Sequence, residues 1–367
     1  MPPDLTQHMS DPVEPARSGR VAGKTGTDFP GTSNESGHSP DLVLAVSGLR
    51  VHFDTPAGVV KAVDDISFDL WRDDILAIVG ESGSGKSVTA LSIMKLVPSP
   101  PGRYVGGKAM MAGTDLMALG QWELESIRGS RIAMIFQNPR AALNPSFTIG
   151  TQLVETLRRH HRLTQAAAKH QAIGMLREVG FVDSERVAAS YPHQLSGGMC
   201  QRIGIALSMA CDPEILIADE PTTALDVVVQ AKILMMLKRV HRERRLPIIL
   251  ITHDFGVVRA LANRVIVMYA GRIQETGPVD GVLRHPQHPY TRALIQSVPD
   301  ATARVERLYQ VRGQPPDLLS LPRGCKFVDR CDYAMEICRK TEPVLLDAKN
   351  DATVRCHLVG MSGAGTA

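Results

Sequence analysis

A glycine-rich octapeptide set between two different hydrophobic patterns constrains this chain more than any other feature. Gly80-Glu81-Ser82-Gly83-Ser84-Gly85-Lys86-Ser87 fits G-x-x-x-x-G-K-[ST]. The run ILAIVG before it, residues 75–80, is short and continuously apolar, as a fully buried parallel strand is. A helical pattern follows. In that order, glycines let the backbone curl so that successive N–H groups face one anion, and the helix adds the positive end of its dipole. Lys86 is then expected to reach β- and γ-phosphates, and the Ser87 hydroxyl to ligate Mg²⁺. A plain serine–glycine turn needs neither group at those offsets.

The remainder fits an α/β sheet around that loop. EILIADE, LPIILITHD and RVIVMYAGR are further buried-strand runs, separated by helical stretches such as DVVVQAKILMMLKRVHRE. If the sheet is parallel, Asp219 and Glu220 end their strand beside the octapeptide. Asp219 can hold the Mg²⁺ shell through water, and Glu220 can orient or deprotonate the water that attacks a γ-phosphate. Upstream, LVLAVSGLRVHF and VVKAVDDISFDL alternate like a half-buried strand pair turning at Pro56, Ala57 and Gly58. Residues 149–209 read as a helical insert, and the rhythm fails beyond Pro278, which marks a small appended module.

Composition excludes several classes. The 41 Lys and Arg against 38 Asp and Glu leave a charge of +3, too balanced for a chain held to nucleic acid mainly by charge. No stretch approaches the length of a membrane-spanning helix. No secretory signal is visible at the N-terminus, so cytosolic residence is expected. Residues 1–40, half of them Pro, Gly, Ser or Thr, read as a disordered tail.

Leu195-Ser196-Gly197-Gly198 resembles the signature motif of ATP-binding-cassette (ABC) transporter subunits. The expected fold class is therefore α/β: a P-loop NTPase core of ABC type with an antiparallel β subdomain, a helical subdomain and a small cysteine-containing C-terminal module. Its nucleotide-binding domain would span residues 41–280, with the helical part at about 149–212, and the module residues 281–367. In the family, the P-loop of one subunit and the signature of a second close on one ATP, which implies a dimer. By the same resemblance, Gly80, Ser82, Gly83, Ser84, Gly85, Lys86 and Ser87 bind nucleotide from one side, and Ser196, Gly197 and Gly198 from the other. Gln137 matches the Q-loop glutamine, a catalytic and Mg²⁺-shell position. Ala224, Leu225 and Asp226 match the D-loop, His253 the switch histidine, and Phe53 with Val60 the adenine side. Relatives often carry glycine at Asp73 and arginine or a similar polar residue at Cys200. One P-loop, one signature and no sustained heptad run argue against a soluble repair or translation ATPase.

FQNPRAALNP, YPHQLSGGM and HPQHPYTRALIQSVP resemble bacterial peptide and nickel importers, above all the oligopeptide and dipeptide subgroup, over residues 43–358. That implies a peripheral subunit on the cytoplasmic face of the plasma membrane. Its partners would be a second, non-identical ATPase, two permease subunits and, indirectly, an extracytoplasmic solute-binding protein. Two prolines in the first stretch suggest an extended segment able to receive a coupling helix. Cys325, Cys331, Cys338 and Cys356 lack the C-x-x-C pairs typical of structural zinc, but four thiolates can hold zinc or an iron–sulfur cluster. Some family members carry a four-iron cluster at this motif, which ranks [4Fe-4S] before zinc.

Overall fold

The computed structural model describes residues 41–223, 225–297 and 310–362. The expected N-terminal tail, Ala224 and the last residues of HPQHPYTRALIQSVP lie outside them. β1 (Leu42–Thr55) and β2 (Gly58–Trp71) pair antiparallel, and their alternating residues bury Leu44, Leu49, Val51, Val63 and Leu70. β3 (Ile75–Val79) is buried at every position. β4 (Gly102–Met111) and β5 (Thr114–Asp115) complete a first sheet in the order β2-β1-β4-β5. Sequence periodicity does not reveal β4, because Gly106 and Gly107 interrupt it. Gly107 has φ of 96°, and an added Cβ would stand 2.5 Å from the Gly48 carbonyl oxygen. The glycine allows β4 to approach β1 closely.

The second sheet contains β3 together with β6 (Ile132–Ile135), β7 (Ile215–Asp219), β8 (Ile248–Ile251), β9 (Arg264–Tyr269), β10 (Arg272–Pro278), β11 (Leu346–Asp347) and β12 (Thr353–Val354). Its order is β11-β12-β10-β9-β3-β8-β7-β6. The pairs from β6 to β9 are parallel, so β3 and β7 flank β8 and point the same way. Their carboxyl ends therefore share one edge, where α/β sheets bind ligands. β3, β8 and β7 up to Asp219 are continuously apolar because both faces are covered. Each buried Ile or Leu there contributes roughly 1.5–3 kcal/mol.

Helices fill residues 149–209 and enclose a core of their own that includes Leu153, Leu157, Leu176 and Ile203. FQNPRAALNP is not fully extended. Pro139–Ala142 forms one helical turn, since proline suits the first helical position and the Asn138 side chain accepts from the Ala141 N–H at 3.3 Å. Beyond β10 the chain packs into the same core as the sheet: Tyr290, Cys325, Phe327 and Cys338 join Val79, Val267 and Tyr269. None of the helices in the described residues is long and apolar enough to cross a membrane.

Candidate active site

The loop after β3 wraps over the start of the helix Lys86–Ile93. Gly85 caps that helix with φ of 102°, and a Cβ there would lie 2.3 Å from the Ala62 carbonyl oxygen. Only glycine fits. Lys86 is buried, and its ammonium donates to the carbonyls of Gly80 at 2.8 Å and Glu81 at 2.9 Å. Burial lowers its pKa below the usual lysine value, opposed by the carboxylates of Glu220, Asp219 and Glu81. A desolvated cation held by carbonyls and the Ser84 hydroxyl is poised to exchange them for phosphate oxygens. Next along the chain, the Ser87 hydroxyl donates to the Asp219 carboxylate at 3.1 Å across the sheet. Burial raises the Asp219 pKa, the neighbouring Glu220 adds to this, and the Ser87 hydrogen bond opposes it. Two adjacent hard oxygen donors suit Mg²⁺.

Glu220 gathers residues from three separate parts of the sequence. Its carboxylate accepts from Gln137 Nε2 at 3.0 Å and from the Thr223 hydroxyl at 2.9 Å. His253 Nδ1 lies 3.1 Å from the other oxygen, and an ionised carboxylate only accepts, so Nδ1 is assigned the proton. Burial pushes the Glu220 carboxyl up, but hydrogen bonds from Thr223 and His253 and the charges of His253 and Lys86 outweigh it. The net position is below the usual carboxylate range. The backbone of Glu220 is left-handed, with φ of 46°, a conformation costing about 1–3 kcal/mol. Its N–H donates to the Ile251 carbonyl at 2.9 Å, which fixes the strained residue to β8. Gln137 Nε2 is held by Glu220, next to Asp219 of the expected Mg²⁺ pair.

Two of the remaining expected nucleotide contacts, Ser196 and Asp226, serve as helix caps. Ser196 caps the helix Gly197–Met209 by accepting from the Met199 N–H at 3.3 Å, and Asp226 caps the helix Val227–Arg244 by accepting from Val229 at 2.9 Å. Neither hydrogen-bonds with residues 80–87. Phe53 and Val60 face each other across β1 and β2, with Phe53 half-buried against the first sheet's core.

Cys325, Cys331, Cys338 and Cys356 line one small cavity together with His288 and His357. Burial drives Cys325 up to about 12, with the other three thiols adding to it, and raises Cys331 and Cys356 as well. Among the described residues, no three His, Cys, Asp or Glu side chains are arranged to hold a metal ion. The expected four-thiolate site, for an iron–sulfur cluster or for zinc, is therefore not supported by the arrangement of these side chains. His357 Nε2 lies 2.9 Å from the Thr341 carbonyl oxygen and is occupied there.

Residues 63–223 match the ABC transporter family, and residues 274–338 match the oligopeptide/dipeptide transporter C-terminal region. The dipeptide transport ATP-binding protein DppD of Bacillus subtilis (strain 168) is 47% identical over 318 residues, 87% of this chain and 95% of the relative. This chain belongs to the ABC transporter family. It is an ATP-binding and ATP-hydrolysing subunit. The oligopeptide transport ATP-binding protein OppD of the same organism is 44% identical over 318 residues, 86% of this chain and 89% of the relative. Among solved structures, the dimeric post-hydrolysis ATP-binding cassette MJ0796 bound to ADP and Pi is 26% identical. Its TM-score is 0.59, and the match covers 64% of this chain and 98% of that one.

The two departures from the ABC pattern are absorbed locally. Asp73 forms a forked ion pair with Arg245 on the surface. Cys200 is fully buried, its thiol 3.6 Å from the Pro192 carbonyl oxygen, a place that suits a small apolar group better than an exposed charge. Sequence reading missed four residues that hold the ABC site together. Thr223 steadies Glu220, and Arg140 donates to the Leu195 carbonyl at 2.8 Å, tying the segment after Gln137 to the signature. Tyr290 and Arg330 reach Glu81 in the P-loop. Arg140 lies within FQNPRAALNP and Tyr290 within HPQHPYTRALIQSVP, so these two had a signal; Thr223 and Arg330 had none.

Proposed function

We propose that this cassette powers import of di- or oligopeptides, working as half of a head-to-tail ATPase pair beneath two membrane permeases on the cytoplasmic face of the plasma membrane. One observation carries the cargo class: the match to the oligopeptide/dipeptide transporter C-terminal region, continuous with a P-loop site on the same chain. The names of the relatives support it. A solute-binding protein outside the membrane would deliver the peptide.

In this reading Lys86 leaves the loop carbonyls for the β- and γ-phosphates, while the N–H groups of residues 83–87 take the remaining phosphate charge. Ser87 and Asp219 would hold Mg²⁺, which supplies positive charge against the phosphate oxygens. Glu220 accepts the proton of the attacking water, and His253 and Gln137 keep its carboxylate oriented. Phe53 and Val60 receive the adenine. Ser196, Gly197, Gly198 and Asp226 serve the ATP held by the P-loop of the facing subunit. ATP thereby favours the closed pair, and hydrolysis reopens it.

The cysteine cavity supports a smaller proposal, a [4Fe-4S] cluster rather than zinc. Four thiols round one cavity are a ligand set of the kind such a cluster takes. Reconstitution with both permeases and the receptor protein in liposomes tests the main reading. ATP-driven uptake of a labelled dipeptide is expected, and uptake of nickel without peptide would overturn the cargo.

A further inference from the structure

Glu81 occupies the second position of the P-loop, and both of its polar ends are held by residues more than 200 positions later. Its N–H donates to the Tyr290 hydroxyl at 2.9 Å. Its carboxylate accepts a forked pair of hydrogen bonds from Arg330, at 2.7 and 3.0 Å. The Arg330 side chain is only 6% exposed and that of Glu81 22%, so water does little to weaken the pair. Arg330 is itself fixed. Its Nε donates to the Arg312 carbonyl at 2.7 Å, and its guanidinium lies 5.7 Å from the ring of Tyr269 and 5.8 Å from that of Phe327. Tyr290 packs against the same two rings, at 4.6 and 5.2 Å. That aromatic block shares its core with Cys325 and Cys338, and Arg330 directly precedes Cys331.

We infer that Arg330 is a positioning residue for the P-loop, acting through Glu81, so that the cysteine-lined C-terminal segment sets how readily this subunit binds ATP. Two consequences of the geometry carry this. The carbonyls of Gly80 and Glu81 are the groups that hold Lys86, and anchoring Glu81 from outside keeps them in register. The Glu81 carboxylate also attracts the Lys86 ammonium. Neutralised by Arg330, it leaves Lys86 free for phosphate; deprived of Arg330, it becomes a half-buried anion competing with the nucleotide for the same lysine.

That competition gives the test a sign that general loosening of the fold would not produce. ATP affinity of the purified full-length subunit is measured by calorimetry, with kcat from steady-state hydrolysis in the assembled complex. Arg330→Met should raise the ATP Kd about tenfold, the scale of one charged hydrogen-bonded pair, with kcat changed less than about twofold. Adding Glu81→Gln to Arg330→Met should recover most of the affinity, because the competing charge is gone. Arg330→Lys, which keeps the charge and loses the fork, should raise Kd about threefold. An Arg330→Met subunit that binds ATP like wild type, or a double variant no better than Arg330→Met alone, would overturn the inference. If Arg330→Met fails to fold, Arg330→Lys decides: an intermediate Kd supports the link and an unchanged one overturns it. The inference rests on the ATP-binding assignment, and wild-type subunit without ATP affinity would remove that assignment itself.

Discussion

The nucleotide site and the cysteine cavity gather functional groups on opposite principles. In the first, each charged or polar group meets a complement: Lys86 with loop carbonyls, Ser87 with Asp219, and Glu220 with Gln137, Thr223 and His253. In the second, four groups of one kind meet, and burial together with their mutual repulsion keeps Cys325, Cys331 and Cys356 protonated. Complementary groups assemble into working geometry from the chain alone. Like groups can ionise together only beside a cation that offsets their charge. The two regions are joined through Arg330, which holds Glu81 of the first and directly precedes Cys331 of the second.

The contrast is broken most sharply by removing one member of each set. Glu220→Gln should slow hydrolysis on the order of a hundredfold or more while ATP binding persists, as expected for loss of a positioned base. Near-normal turnover in the purified complex would show that the base is elsewhere. Lys86→Ala should weaken ATP binding by about tenfold or more, the scale of a charged hydrogen bond to phosphate. An unchanged Kd would remove the phosphate role of the loop.

A pH profile probes the complementary wiring directly. A carboxyl depressed in the fold contributes stability above its unfolded value, and loses it only as pH falls through the lower folded value. Glu220 should thus stay ionised below the ordinary glutamate value of about 4.3, and no acid limb of kcat near neutrality should belong to it. Thr223→Val, which deletes one of its donors, should raise the pH at which Glu220 takes up its proton and lower kcat a few-fold; an acid limb of kcat that does not move would place the titrating base outside this network.

Smaller effects separate the cavity from the two lone cysteines. Cys338→Ser should abolish iron, sulfide and brown absorbance in anaerobically purified protein, and their absence from wild type would eliminate the cluster. Cys200→Ala and Cys211→Ala, both in the core of the helical part, should leave iron content unchanged and cost about 1 kcal/mol each in thermal or denaturant unfolding. Equal loss of iron in these variants would erase the distinction between clustered and solitary thiols.

What could be read in advance followed from locality. The octapeptide and its strand are consecutive, so their chemistry and their backbone geometry sit in one window of sequence. Gln137, Glu220 and His253 could be ordered along the chain, but their convergence depends on β7 and β8 being neighbours, which sheet order decides. Two features had no local trace. β4 is masked by paired glycines, of which Gly107 lets it approach β1, and the Arg330 fork onto Glu81 joins positions 249 apart, linked only by how the C-terminal segment packs on Tyr269. The cysteines were visible as a set, yet spacing alone does not say whether four thiols surround one ion or a wider core.

The central claim is that one copy carries two separate half-sites, Lys86 and Glu220 in one and Ser196 in the other. Mixing two inactive variants tests it most directly, Lys86→Ala with Ser196→Arg, each assayed alone and then together at a concentration where sedimentation shows pairs. Recovered hydrolysis in the mixture, from the pair that unites the intact P-loop of one copy with the intact signature of the other, is the predicted result. A Ser196→Arg subunit that hydrolyses ATP at the wild-type rate while remaining monomeric would contradict it.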